Sequence, residues 1–453
     1  MAVVGKSPVK QVGYRNPCTD VKDRSSMIEV QPGNNKNKRS LECEIPPDRS
    51  TKKPRRSDKD FALNTSYTSV SEWASLPMDI FFLTLDKLFE LIDHVRLAVV
   101  CKHWNDVSKA HNRTTQRWCK VLPMLMIPFG SRTKRMVCSL SEGKIYTNVQ
   151  LPVPYDKRCS GSSHGWLATA DETFAITLLN PFRKAEAIHL PPLVTPYDLP
   201  GCQSELQKHR DELKKQYHYY VRKVILSADP SSNPNNYVVV AIYDNCCRLA
   251  FIRAGQRDWT YLEEPYMFSD AIFHRNEIYA VGLGGIIASV DINSSDDPSS
   301  HPKAIIRTPL RPMVHPVFPY KADKAYLVES SNGDLLHVRK FLKPKEGVDQ
   351  KLGVVNFVVY KVLFSDKDGS IVKQNVVDSI GDDALFLGDN HSMTVLASNF
   401  PRCQPNSIYF TNDIWNGGIG IFSLANKTVT QLYRPQNPIP PAIWIVPPNN
   451  GLC

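Results

Sequence analysis

From about residue 124 the chain is a succession of short apolar runs separated by turn-forming clusters, and no other feature limits its fold as strongly. The runs include MLMIPF, GWLATA, RKVILS, YVVVAIY, EIYAVG, AYLVES, NFVVYKVLF, SIYFTN and AIWIVP; between them stand ADPSSNPNN, NSSDDPSS, SSNGD and SDKDGS. Many short strands punctuated in this way predict an all-β sandwich, barrel or propeller. Strand–turn–strand units recur roughly every 45–50 residues, close to one four-stranded blade, so roughly 330 residues make six or seven blades. MLMIPF and AIWIVP, near the two ends of this region, are placed to complete one blade between them. A double-sheet sandwich is the competing architecture. The charged stretch SELQKHRDELKKQYHYY (204–220) interrupts the pattern and reads as a helix inserted in a loop.

Ahead of the strands, residues 72–120 have helical periodicity. From Pro77, suited to a first helical turn, apolar residues fall at Ile80, Phe81, Leu85 and Leu88, with Thr84 as a polar interruption. Asp93 is placed to cap a second helix, on which Leu97, Val100, Cys101 and Trp104 form an i, i+3, i+4, i+7 stripe. Val99 and Leu91 add apolar area off that stripe. About 40 residues rarely hold a core unaided, so the surplus predicts a partner surface; packing on the β region is the alternative, which periodicity alone leaves open.

Residues 1–65 have a different texture. They contain one aromatic before Phe61 and are rich in Lys, Asn, Pro and Ser, a composition that cannot bury enough apolar area to stay ordered. Of the chain's net +10, residues 1–60 hold +6, from 14 Lys/Arg against 8 Asp/Glu. The basicity therefore belongs mainly to a tail, and nucleic acid is not an expected partner of the folded part. Within the tail, Lys38 and Arg39 are separated by twelve residues from Lys52, Lys53, Arg55 and Arg56. That spacing on a flexible chain is similar to a bipartite nuclear localisation signal, with a plain solvated tail as the alternative; the expected compartment is the nucleus, with the cytoplasm second. The 11 cysteines are odd in number and include no CxxC pair, so reduced thiols are expected rather than a disulfide framework or a zinc site. No apolar run reaches the ~18 residues of a transmembrane helix, no secretory signal is recognisable, and no membrane association is expected.

The helical segment carries a resemblance. Leu76-Pro77, Ile80, Leu85, Leu88, Asp93, Arg96, Val100-Cys101-Lys102 and Trp104 resemble an F-box in order and spacing. Thr84, where an aliphatic residue is usual, and His94 depart from the pattern. The resemblance implies docking on a Skp1-type adaptor through Leu76, Pro77, Ile80, Leu85, Leu88, Val95, Leu97, Val100, Cys101 and Trp104. Residues 124–447 resemble the plant F-box-associated domain of KIB-type β-propellers, through GSSHGWLATADE (161–172), LLNPFRKAEAIHLPPL (178–193), YVVVAIYDNCCRLAFIRAGQRDWTYL (237–262), AYLVESSNGDLLHVRKF (325–341) and PPAIWIVP (440–447). The expected fold is therefore mainly β with a small α-helical N-terminal module: F-box helices followed by a six- to seven-bladed β-propeller.

The chemistry-bearing residues read as structural. In VGLGGI (281–286) a strand follows the glycines, whereas a phosphate cradle needs a helix N-terminus there. His164 has no nucleophile in a recognisable elbow near it, and Asp382 and Asp383 sit among strand ends and turns. The twelve His include no HxxxH or HExxH, so no metal or cofactor is expected. Trp166, Trp259, Trp415 and Trp444 read as propeller core. The resemblance implies a non-catalytic substrate receptor of an SCF-type (Skp1–cullin–F-box) ubiquitin ligase, which recruits a protein client and contributes proximity. The alternative is a propeller enzyme or small-ligand binder with an incidental helical N-terminus. A narrower third reading is a nuclear scaffold that binds the adaptor without directing ubiquitination.

Overall fold

The computed structural model describes residues 76–446 apart from 89–90, 116–121, 129–134, 141–142, 147–156, 183–184, 194–216, 245–246, 263–265, 283, 291, 293–304, 308–321, 345–351, 368, 401, 412–418 and 434–440. The tail and its two basic clusters, Trp415, and most of 204–220 thus lie outside the described residues. Of that last stretch, only the helical turn Tyr217–Tyr220 is described.

Six sheets follow one another as the blades of a propeller. Blade 1 joins β1 (Met124–Pro128), β2 (Arg135–Ser139) and β3 (Lys144–Tyr146) to the late strand β25 (Ile443–Ile445), in the order β25-β1-β2-β3. Blade 2 is β4 (Cys159–Ser163), β5 (Trp166–Ala170), β6 (Ala175–Leu179) and β7 (Ile188–Pro192). Blade 3 is β8 (Val221–Leu226), β9 (Val238–Tyr243), β10 (Arg248–Arg253) and β11 (Thr260–Tyr261). Blade 4 is β12 (Phe268–His274), β13 (Glu277–Gly282), β14 (Ile287–Val290) and β15 (Ile305–Ile306). Blade 5 is β16 (Ala322–Glu329), β17 (Leu335–Pro344), β18 (Leu352–Phe364) and β19 (Ile371–Val377). Blade 6 holds β20 (Asp383–Leu387), β21 (Met393–Leu396), β22 (Ser407–Thr411), β23 (Ile419–Ser423) and β24 (Thr428–Tyr433).

Consecutive side chains on a strand point to opposite faces, and here both faces meet another blade. In β9, Val239, Ala241 and Tyr243 join the core against blade 2, whereas Val238, Val240 and Ile242 join the core against blade 4. Burial on both faces explains why the sequence shows continuous apolar runs rather than alternation. One apolar cluster fills each of the six interfaces between neighbouring blades. Two-residue turns set the register of two inner hairpins. His164 and Gly165 (φ 52° and 81°) join β4 to β5, and Arg275 and Asn276 (φ 50° and 65°) join β12 to β13; both central residues have the positive φ of a type I′ turn.

The ring is closed by pairing Met124, Leu125 and Met126 with Ile445, Trp444 and Ile443, as MLMIPF and AIWIVP foreshadow. Blade 6 departs from the four-stranded expectation. After β20 the chain turns through residues 388–392 and returns as β21 on the axial side of β20; β22 then pairs with β20 in parallel.

Candidate functional site

The helical module consists of α1 (Met78–Lys87), α2 (Leu91–Ala98) and α3 (Lys102–Thr115). The expected second helix is divided: α2 stops at Ala98 and α3 begins at Lys102, so Leu97 and Trp104 belong to different helices. Cys101 makes the break. As the residue preceding α3 it accepts the first intrahelical bond at its carbonyl from the Asn105 N–H (3.0 Å), and at Sγ it accepts from the Trp104 N–H (3.4 Å), a donor that a helix start leaves free. Asn105 in turn donates from Nδ2 to the Ala98 carbonyl (2.9 Å), finishing α2. Asp93 lies in the first turn of α2 rather than capping it, and pairs with Arg96 at 3.0 Å.

Both departures from the F-box pattern have local structural roles. His94 is buried and donates from Nε2 to the Leu88 carbonyl (2.9 Å), closing the end of α1. Thr84 is exposed and turns its hydroxyl back onto the Ile80 carbonyl (2.9 Å). Neither side chain interrupts the apolar core, which is built on Phe81, Leu85 and Val107. Trp104 lies edge-on to Phe81, with ring centroids 4.9 Å apart.

The ten sequence-predicted residues divide in two. Leu85 is wholly buried, Leu76, Leu88, Leu97 and Trp104 pack against the same core, and Cys101 is half-buried at its cap. These residues hold the helices together. Pro77, Ile80 and Val100 are exposed; the side chain of Val95 lies outside the described residues. Three further exposed apolar side chains were not among the ten: Met78 and Leu83 on α1, and Val99 beside Val100. Leu83 is 58%, Val99 74% and Val100 60% exposed, so this module offers apolar surface although its own core is filled. Leu83 stands three residues after Ile80, a spacing that could have revealed it.

A second concentration of polar groups lies on the propeller axis. Arg158, just before β4, meets Asp389, two residues past the end of β20, at 2.5 Å; Lys324 of β16 reaches the same carboxylate at 3.2 Å. Lys223 of β8 pairs with Asp270 of β12, which also accepts from the Leu327 N–H (3.0 Å) and the Ser392 hydroxyl (3.0 Å). Burial by itself would raise the Asp389 carboxyl; Arg158 and Lys324 override it and hold it down at about 2. Burial lowers Lys223, with Asp270 opposing the shift. The charges are turned on one another, so the arrangement is an internal brace rather than an acid–base pair.

The other chemistry-bearing residues are also structural. Asp382 accepts from the Ser398 N–H and hydroxyl, and Asp383 from the Ser331 N–H. His164 occupies the β4–β5 turn. VGLGGI bridges β13 and β14. Trp166, Trp259 and Trp444 are core residues. Among the described residues no three His, Cys, Asp or Glu side chains gather as metal ligands, and no helix is long and apolar enough to cross a membrane.

The fold and its forward module define a class: a small helical unit with an unfilled apolar surface ahead of a six-bladed propeller. Residues 137–423 match the family model described as the KIB1-4 beta-propeller, and the chain belongs to that family. Over 367 residues it is 25% identical to an F-box protein of Arabidopsis thaliana, At2g26160, spanning 76% of this chain and 96% of that one. A second F-box protein of the same plant, At4g35733, is 23% identical over 383 residues, 80% of this chain and 94% of that one. The resemblance to plant F-box proteins with a KIB-type propeller is borne out. Among solved structures, TolB from Acinetobacter baumannii aligns with 75% of this chain and 73% of its own, at 9% identity and a TM-score of 0.36.

Proposed function

We propose that the chain is the substrate-recognition subunit of an SCF-type ubiquitin ligase. In this reading α1–α3 dock on a Skp1-type adaptor, and through it on a cullin; the propeller presents a protein client. The chain carries no catalysis and no cofactor, and acts by holding the client near a ubiquitin-loaded enzyme. The observation that carries this reading is the exposed group Met78, Ile80, Leu83, Val99 and Val100 on a module whose core is already satisfied. Its likeness to the named F-box proteins supports it. The small-ligand reading has no comparable support: the axis, where a propeller could admit a ligand, is crossed by buried ion pairs.

The test separates surface from core. Ile80→Asp combined with Val100→Asp places two charges on the exposed face, where a buried interface anchor commonly contributes about 2 kcal/mol or more. Co-purification with a Skp1-type adaptor should fall at least ~30-fold, with circular dichroism unchanged. Adaptor retention at wild-type strength by this variant would refute the docking surface. Leu85→Ala should instead melt the module itself, because it empties the centre of its core.

Nuclear import completes the reading. Lys38 and Arg39 act with Lys52, Lys53, Arg55 and Arg56, since each cluster alone offers few charges. Neutralising either cluster in a fluorescent fusion should shift the signal to the cytoplasm. Unchanged nuclear enrichment after loss of both would leave the tail as a solvated segment.

A further inference from the structure

Blade 1 is the seam of the ring, because only there do strands from distant parts of the chain share a sheet. It lies between blade 6, against which Leu125 and Trp444 pack on Phe386 and Tyr409, and blade 2. Its interface with blade 2 holds the smallest of the six apolar clusters among the described residues: Met126, Val137, Cys159, Leu167, Ile443 and Ile445. The strand completing the blade, β25, is three residues long. Backbone pairing and this small core are modest fasteners for a ring that must resist opening.

A second fastener crosses the same gap from inside. Residues 388–392 leave blade 6 at the axis and attach directly to blade 2, bypassing blade 1. Asp389 pairs with Arg158 (2.5 Å), the His391 N–H donates to the Ser162 carbonyl (3.0 Å), and His391 Nδ1 lies 3.2 Å from the Ser163 hydroxyl. Lys324 and Asp270 tie the same segment to blades 5 and 4. Gly388 begins it where a side chain could not fit: a Cβ there would stand 2.3 Å from the Thr411 hydroxyl oxygen. The doubling back of β21 is what carries this segment into the axis.

We propose that residues 388–392 are an axial strap that holds the seam of the propeller shut by joining blades 6 and 2 across blade 1. Removing one partner of a buried ion pair leaves the others uncompensated, so Asp389→Asn, isosteric but neutral, loosens the strap without changing its shape.

The experiment is hydrogen–deuterium exchange, read by mass spectrometry, on the full chain and on this variant. Peptides covering β25, β1 and β4 should exchange about tenfold faster in Asp389→Asn. Peptides covering β9 and β10 of blade 3, which the strap does not touch, should keep their wild-type rates. Unchanged exchange at the seam overturns the proposal, as does an equal rise in all six blades, which would mean general destabilisation. If Asp389→Asn does not fold, His391→Ala, which removes the side-chain contacts to Ser163 and His164 of blade 2, is expected to give the same pattern at smaller amplitude. A pattern confined to 388–392 in that variant also overturns it.

Discussion

Trp444→Ala will destabilise the propeller by about 3–5 kcal/mol, the range for emptying a large aromatic site in a core. Trp444 is 0% exposed and lies edge-on to Phe386, with centroids 5.1 Å apart, and close to Tyr409 at 6.4 Å. Phe386 and Tyr409 are themselves stacked at 4.6 Å. The indole therefore fills the junction between blades 1 and 6, and its strand is the one that closes the ring. Few neighbours can collapse into the space, because those aromatic rings are fixed by their own strands. Urea unfolding of the full chain should show a lower midpoint, and Val372→Ala, at a 66% exposed position on β19, should change it by less than about 0.5 kcal/mol. A Trp444→Ala midpoint within error of the wild type would mean that β25 is not part of the closed ring.

Folding stability will also fall as the pH drops from 6.5 to 5. His337 is wholly buried on β17; its Nδ1 lies 2.7 Å from Gln374 Oε1 and its ring stacks on Tyr360. Burial, reinforced by the Arg339 charge and only partly opposed by Gln374, lowers its pKa to about 4. The folded protein thus keeps this imidazole neutral, whereas the unfolded chain takes up a proton below about 6.5. Stability is full above that pH and is lost as the pH falls toward 4, at about 1.36 kcal/mol per pH unit. Between pH 6.5 and 5 this amounts to about 2 kcal/mol. The half-buried His391, lowered to about 3 by burial and by the neighbouring His164 and Lys223, adds in the same direction. Denaturant midpoints across this range should slope less in His337→Gln; an identical slope would remove His337 as the cause.

The architecture was legible because the physics behind it is repetitive. Blades buried on both faces need apolar runs such as YVVVAIY, and tight hairpins need residues that accept positive φ, so strands and turns alternate visibly. Length narrowed the count to six or seven blades, of which the structure has six, and the sandwich alternative fails because the six sheets pack one after another in a ring. The five-stranded blade was not legible: whether Met393–Leu396 pairs inside or outside Asp383–Leu387 depends on what the axis accepts. A trace of the axial charges is nevertheless present. Lys223, Asp270 and Lys324 each occupy the third position of an otherwise largely apolar inner strand, and the corresponding place in β4 is Gly161, where a Cβ would stand 2.1 Å from the Val224 carbonyl oxygen. In the helical module, periodicity located the apolar residues but could not divide them. Val100 and Cys101 fit a helical stripe on paper; the cap formed by Cys101 ends that stripe, leaving Val99 and Val100 exposed at the break.

The pairing of Met124–Met126 with Ile443–Ile445 joins segments roughly 320 residues apart, and this bears on how the protein is made. At about 5–20 residues per second, β1 waits on the order of 15–60 s after its synthesis for the strand that covers its inner edge. Throughout that interval the ribosome holds an open crescent of blades with Leu125 and Ile127, which pack on blade 6, uncovered, a natural target for chaperones and for stray β pairing between nascent chains.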